Sequence, residues 1–313
     1  MNRANPEPLD NKFILIDRLD VIRKIVTKYG EDKCYISFSG GKDSTVLSYL
    51  VDLALPNNKI PRVYANTGIE LNIIKEFVES LSKKDDRIIM IKPKIPIKKM
   101  LEKEGYPFKS KHHSEMWNIW ENNHNAKSAI KYRDGLYNFS ANKCPKILRY
   151  QFDDGYTGPR ISDKCCLNLK EKPLDDYMNK TGKTIAIVGI MRDEGGRRES
   201  AQCFVKYAKD KFHFHPLAVV SKNWEEWLIN KYHIRLCDIY YPPYNFTRTG
   251  CKGCPFNPTL QKDLDTLERY FPKERQQCEI IWKPVYDEYR RLGYRLKDKK
   301  TKQMSILDYL EEE

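Results

Sequence analysis

No stretch of this 313-residue chain approaches the roughly 20 consecutive apolar residues that a bilayer-crossing helix needs. The first eight residues, Met-Asn-Arg-Ala-Asn-Pro-Glu-Pro, hold no apolar core of the kind a secretory signal carries. No membrane partner is expected, and a cytoplasmic protein is. The GxxxxGK[ST] spacing of Walker-type phosphate loops is missing. Internal repeats and extended low-complexity segments are missing too. The nine cysteines make an odd number, which does not suit a disulfide framework. In a chain of this length, metal or redox chemistry is the expectation, with some thiols simply buried.

What is present begins with charge. Fifty-six Lys and Arg against 43 Asp and Glu leave a net charge of +13. That excess suits a polyanion such as tRNA or DNA. A basic surface with no dedicated partner accounts for it equally, because net charge reports on association and not on fold. Hydrophobic residues make up 40% of the chain, enough for a core in one large domain or two modest ones.

The most informative stretch is Ser37-Phe38-Ser39-Gly40-Gly41-Lys42-Asp43-Ser44. It follows a short apolar strand over 34–38 and opens an apolar helix over 45–53. A strand, a glycine turn and a helix start make a phosphate cradle. Gly40 and Gly41 let backbone amides approach an anion without Cβ interference. The helix N-terminus supplies orphan N–H donors and positive dipole charge. Lys42 adds a full charge, Asp43 can hold Mg²⁺, and Ser39 and Ser44 offer hydroxyls to phosphate oxygens.

Around this cradle, strands alternate with helices. A helix is expected over 15–28, ending at Gly30. Strands follow at 63–65, 87–91 and 184–188, with a helix over 73–81 between the first two. The alternation predicts a Rossmann-like parallel α/β sheet with helices on both faces. Ligands of such sheets bind beyond the carboxyl ends of the strands, and Ser39 to Ser44, Asn66-Thr67-Gly68 and Gly189 all fall at that edge. Residues 1–104 and 155–235 are expected to form the nucleotide-binding domain. Residues 105–154 break the alternation and read as a basic, aromatic, partly helical insertion. Its Lys111, Trp117, Trp120, Lys127, Lys131 and Arg133 suit either amphipathic packing, the favoured reading, or contact with phosphates and unpaired bases. Residues 236–313 read as a cysteine-containing helical region. Before it, Asn223 is the expected cap of a helix carrying Trp224, Trp227 and Leu228.

Cys165-Cys166 and Cys251-Lys252-Gly253-Cys254 form a second signal. The latter pair could serve a zinc half-site or a redox couple. Four thiolates together could complete a [4Fe–4S] cluster or a Cys₄ zinc site, with Lys164 and Lys252 favouring the anions. Cys278 reads first as a buried apolar residue, and Cys34, Cys203 and Cys237 as structural.

In combination these motifs resemble the phosphoadenosine phosphosulfate (PAPS) reductase family of the PP-loop ATP pyrophosphatases, over roughly residues 30–258. Ser39 to Ser44 is similar to the PP-loop SGGxDS. Residues 65–70, Ala-Asn-Thr-Gly-Ile-Glu, resemble the family's DTGIE element. Lys164-Cys165-Cys166 with Lys170 and Pro173, the Gly189-to-Arg198 loop, the His215-Pro216-Leu217 turn and the Thr249-to-Pro255 TGCxxCP segment each resemble a family motif. The resemblance implies an adenine nucleotide alpha-hydrolase-like fold that binds ATP or PAPS through Ser37, Ser39, Gly40, Gly41, Lys42, Asp43, Ser44, Asn66, Thr67, Gly68, Gly189, Arg192 and Arg198. It implies catalytic roles for Lys42, Asp43, Arg192 and Arg198, and a [4Fe–4S] cluster on Cys165, Cys166, Cys251 and Cys254, with zinc as the alternative.

Three departures shape the expected chemistry. Sulfonucleotide reductases end in a mobile tail with a nucleophilic cysteine, and here no cysteine follows Cys278. The full SGGKDS form is similar to adenylating members such as DNA phosphorothioation and tRNA thiolation enzymes. Gly195-Gly196 replaces an expected serine in the arginine loop. The leading expectation is therefore an ATP-dependent, AMP- and pyrophosphate-forming adenylating sulfurtransferase with Mg²⁺. Its acceptor would be tRNA or DNA, and a sulfur-donor protein such as a cysteine desulfurase would be its partner. A PAPS or adenylyl-sulfate reductase, and a non-catalytic nucleotide-binding protein with structural zinc, are the alternatives.

Overall fold

A computed structural model of the protein describes residues 11–137, 143–194 and 199–297. Along the chain lie α1 (Asn11–Tyr29), β1 (Cys34–Ser37), α2 (Lys42–Ala54), β2 (Arg62–Ala65), α3 (Asn72–Ser82), β3 (Ile88–Ile91), α4 (Ile97–Glu104), α5 (Lys111–Asn122) and α6 (Lys127–Asp134). There follow α7 (Lys164–Cys166), α8 (Lys172–Thr181), β4 (Ile185–Val188), β5 (Phe204–Ala208), β6 (Lys211–Phe214), α9 (Lys222–Tyr232), α10 (Leu260–Tyr270), α11 (Pro272–Ile281) and α12 (Lys283–Arg291). The chain divides into two compact units, residues 1–94 with 170–250, and residues 95–169 with 251–313. The insertion and the residues from Cys251 onward thus share a unit, while residues 236–250 group with the sheet.

The first unit is built on one six-stranded sheet in the order β3-β2-β1-β4-β6-β5. All neighbours are parallel except β5, which runs antiparallel to β6 at the edge. Alternation along β1 sorts its side chains to opposite faces. Cys34 and Ile36 join α1, α2 and α9 through Ile22, Leu47, Leu50, Trp224 and Leu228. Tyr35 turns the other way, with Val63, Ala186 and Met178 of α8. Helices therefore cover both faces, which is why the central strands read as continuous apolar runs. Register aligns Ser37 with Val63 and with Val188. The turns that leave β1, β2 and β4 consequently emerge at a common carboxyl edge.

The structure differs from the sequence reading in several places. Helix α1 starts four residues earlier, and α2 starts at Lys42 itself, inside the expected turn. The hairpin of β5 and β6 was not anticipated, because Lys206, Asp210 and Lys211 interrupt its apolar pattern. Ser221, not Asn223, caps α9, its hydroxyl accepting from the Trp224 amide at 3.2 Å.

The second unit carries an aromatic interior. Trp117, Trp120, Tyr132 and Phe152 are buried, and the Trp117 indole donates to the Gln151 carbonyl at 2.8 Å. These rings pack inward, while Lys127 and Lys131 of α6 stay exposed. The packing reading of the insertion therefore holds for its tryptophans.

Candidate functional site

The carboxyl end of β1 leads into a turn that only a permissive backbone can make. Gly40 sits at φ +70°, and a Cβ there would lie 2.7 Å from Val78 Cγ2 and 3.1 Å from Ile74 Cγ2. Gly41 is the N-cap residue of α2. Four hydroxyls hold the turn. The Ser39 amide donates to Ser44 Oγ at 3.2 Å, and the Gly41 amide to Ser39 Oγ at 3.3 Å. The Lys42 amide donates to the Tyr240 hydroxyl at 2.9 Å. Ser44 Oγ and Thr45 Oγ1 both donate to the Gly41 carbonyl, at 3.0 and 2.9 Å. These bonds hold the turn at the N-terminus of α2, where the helix dipole is positive.

Gly189, just past β4, presses on the start of α2. A Cβ there would lie 3.1 Å from the Asp43 carbonyl oxygen and 3.4 Å from the Ser44 nitrogen. The two central parallel strands therefore deliver a glycine turn each to the same spot, one as cradle and one as backing.

A cavity of about 990 Å³ opens on this cradle. Ser37, Ser39, Gly41, Lys42, Asp43, Ser44 and Gly189 line it, as do Lys222 and Glu226 of α9 and Tyr240, Asn245, Arg248 and Thr249. Lys42 reaches across to α9, with its ammonium 3.1 Å from Glu225 Oε2. Tyr240 is bonded to Thr249 Oγ1 at 2.7 Å, and burial pushes its phenol up to about 12. Lys222 and Arg248 add two further cationic side chains to the lining.

Other expected residues stand elsewhere. Asn66, Thr67 and Gly68 form a tight turn after β2 and do not line the cavity. Glu70 Oε1 accepts from Thr67 Oγ1 at 2.6 Å and from the Thr67 amide at 3.0 Å. Arg192 is exposed, its Nε donating to the Ala201 carbonyl at 2.6 Å, and it too is absent from the lining. Arg197 and Arg198 lie outside the described residues. Sequence reasoning missed Tyr240, Glu225, Lys222 and Arg248. Only Thr249 carried a signal, through the TGCxxCP segment.

The four cysteines expected to share a metal belong to the second unit. Among the described residues, no group of three or more His, Cys, Asp or Glu is gathered so as to hold a metal ion. The expected [4Fe–4S] or zinc set is therefore not shown among the described residues. Cys165 and Cys166 are neighbours on one helical turn, where successive side chains diverge by about 100°. Cys251 and Cys254 close a turn, the Cys254 amide donating to the Cys251 carbonyl at 3.3 Å. Protein groups clamp that turn: Trp282 Nε1 donates to the Lys252 carbonyl at 3.0 Å and the Tyr289 hydroxyl to the Pro255 carbonyl at 2.9 Å. The basic residues expected to favour thiolates are engaged by carboxylates. Lys252 is buried, with its ammonium 3.0 Å from Glu274, and Lys164 lies 3.7 Å from Glu104. Cys278 is fully buried, and burial pushes its thiol up to about 12, as befits a packing residue.

In a mostly parallel α/β sheet, the carboxyl edge where the first crossover helix begins in a glycine cradle is where ligands bind. Residues 33–257 match the family model described as the phosphoadenosine phosphosulfate reductase domain, and the chain belongs to that family. A 79-residue stretch is 35% identical to the glutamine-hydrolyzing GMP synthase of Thermosipho africanus (strain TCF52B). That stretch is 25% of this chain and spans only 15% of the synthase's length. Among solved structures, the phosphoadenylyl-sulfate reductase of Candida auris is similar with a TM-score of 0.43 at 13% identity, over 76% of this chain and 92% of that one. The FMN adenylyltransferase of Candida glabrata, in complex with FAD and pyrophosphate, gives 0.49 at 13% identity, over 80% and 66%. The NH3-dependent NAD synthetase of Campylobacter jejuni gives 0.39 at 14% identity, over 93% and 99%. No helix among the described residues is long and apolar enough to cross a membrane.

Proposed function

We propose that this protein is an ATP-dependent adenylating enzyme that releases pyrophosphate and serves sulfur transfer to an activated acceptor. The observation that supports this reading is the cradle itself. Positive-φ Gly40, the hydroxyl-held turn, Lys42 and Asp43 combine at the N-terminus of α2, which opens onto one cavity with Lys222 and Arg248. ATP, taken as its magnesium complex, would set its β and γ phosphates against Ser39 to Ser44, with Asp43 facing the ion. An acceptor oxygen attacks the α phosphorus, and the α–β bridging bond breaks. Pyrophosphate leaves with the electron pair. The amide donors of the cradle and the Lys42 ammonium offset the charge that develops on it, and positioning does the rest. The outer sulfur of a persulfide on a donor protein such as a cysteine desulfurase then displaces AMP from the activated acceptor, and a second thiol reduces the resulting disulfide to free the thiolated acceptor. The +13 net charge favours a tRNA or DNA acceptor. No step is drawn through an iron–sulfur cluster or zinc. Arg192 enters only if its side chain leaves the Ala201 carbonyl.

Sulfonucleotide reduction is the second reading, favoured by the family's own description. Cys278 is buried, and in this reading the reducing thiol comes from another protein. The test is pyrophosphate release from ATP with RNA or DNA present. Lys42→Ala and Asp43→Ala should abolish it while the unfolding transition persists. Unchanged turnover in both variants refutes the assignment, and sulfite formation from PAPS or adenylyl sulfate without ATP selects the second reading.

A further inference from the structure

The cradle that polyphosphate would occupy is already engaged from within. Glu225 lies on the buried face of α9 beside Trp224 and one turn from Leu228, and its carboxylate is wholly buried. A carboxylate in such a place is costly unless a cation meets it. Lys42 is such a cation, with its ammonium 3.1 Å away. The amide of the same lysine, the first N–H of α2, donates to Tyr240 at 2.9 Å. Tyr240 also shares a hydrogen bond with Thr249 Oγ1, 2.7 Å away, and its phenol oxygen keeps a lone pair for the amide. Lys42 thus has both of its anion-binding groups satisfied by the protein, one by a carboxylate and one by a neutral hydroxyl.

We infer that Glu225 and Tyr240 are internal competitors for Lys42, which incoming polyphosphate displaces and which reclaim the lysine as pyrophosphate leaves. The inference rests on the cradle being a polyphosphate site. Its consequence is kinetic. Pyrophosphate is small and highly charged, and a cradle of unpaired donors would retain it. A competing carboxylate and hydroxyl lower its affinity and speed its departure, so Glu225 and Tyr240 are positioning residues for product release.

Calorimetric titration of the full chain with inorganic pyrophosphate and magnesium tests this. Tyr240→Phe keeps the ring and removes only the competing oxygen; it should bind pyrophosphate about fivefold more tightly, the equivalent of one ordinary hydrogen bond. Glu225→Gln keeps the side-chain size and frees the Lys42 charge; binding should tighten by about tenfold and become more salt-sensitive. In turnover, kcat and the KM for ATP should fall together, a pattern that mere loss of stability does not produce. Wild-type affinity in both variants overturns the inference and leaves the cradle reading standing. Weaker binding also overturns it, because the two groups then act as ligands of the anion. If wild type and variants all fail to bind pyrophosphate, the cradle reading falls and the inference with it.

Discussion

Gly40→Ala separates the geometry of the cradle from its chemistry. Gly40 holds φ +70°, where an L-residue costs about 1–2 kcal/mol. The new Cβ would also stand 2.7 Å from Val78 Cγ2 and 3.1 Å from Ile74 Cγ2. Both side chains are buried, Val78 completely, so neither can swing into solvent. Overpacking of that kind costs about 1–3 kcal/mol. The sum is about 2–5 kcal/mol, a large part of a typical folding free energy of about 5–15 kcal/mol. The alternative is for the turn to abandon positive φ, which pulls the Ser39 and Gly41 amides off their serine acceptors and dismantles the cradle. Urea unfolding and pyrophosphate release, measured together, must register one loss or the other. Adding Val78→Ala should return the steric part and leave the backbone part, because it opens room for the methyl without changing φ. A Gly40→Ala protein with wild-type urea midpoint and wild-type pyrophosphate release would show that the turn does not hold this conformation, and would refute the reasoning.

Lys252→Met should destabilise the protein by about 3–5 kcal/mol, because it strands the buried Glu274 carboxylate; adding Glu274→Met should recover most of the loss in thermal or urea unfolding. Near-wild-type stability of the single variant would show that the buried pair contributes little to the fold. His113 is fully buried between Tyr132 and Gln151, and burial, aided by Lys109, pushes it down to about 3 from an ordinary 6.5. A depressed imidazole contributes stability that is present above pH 6.5 and lost as pH falls toward 3, since the unfolded chain takes up the proton first. Urea midpoints from pH 7 to 4 should therefore fall, and His113→Gln should flatten the fall; an unchanged slope would remove His113 as its cause.

The sequence was legible where neighbours in the chain determine structure. The strand, glycine turn and helix around Ser39 to Ser44 are contiguous, and their order predicts a parallel sheet with the turn at its carboxyl edge. It was not legible where a partner arrives from far along the chain. Tyr240 meets Lys42 across 198 positions, and no periodicity marks a phenol that will accept from a helix N-terminus. Glu225 looks like a surface glutamate in a helix rich in polar residues, yet it faces the core beside Trp224. The β5–β6 hairpin escaped because charged residues at Lys206, Asp210 and Lys211 dilute the alternation of an edge pair. The sequence places Gly189 at the end of its strand, but its role as a backing against the Asp43 carbonyl is a packing fact that appears only in three dimensions.

The cysteine motifs expose the same divide from the other side. A CxxC turn is local, and the turn from Cys251 to Cys254 forms, clamped by Trp282 and Tyr289. A four-sulfur site is not local: it needs two separate segments to converge with every thiol turned inward. Residue types at suggestive spacings state the first condition and are silent on the second. Lys252 shows why. Placed between two cysteines, it invites a role in holding thiolates, but a buried ammonium goes to the strongest acceptor it can reach, and Glu274 at 3.0 Å is one. Lys42 follows the same rule at the cradle, where its ammonium lies 3.1 Å from the buried Glu225 carboxylate. In both units the basic residue inside the motif is already neutralised by a buried carboxylate from a distant helix. At the cradle an incoming polyphosphate would have to compete with that carboxylate, and the pyrophosphate titration of Glu225→Gln measures how strong the competition is.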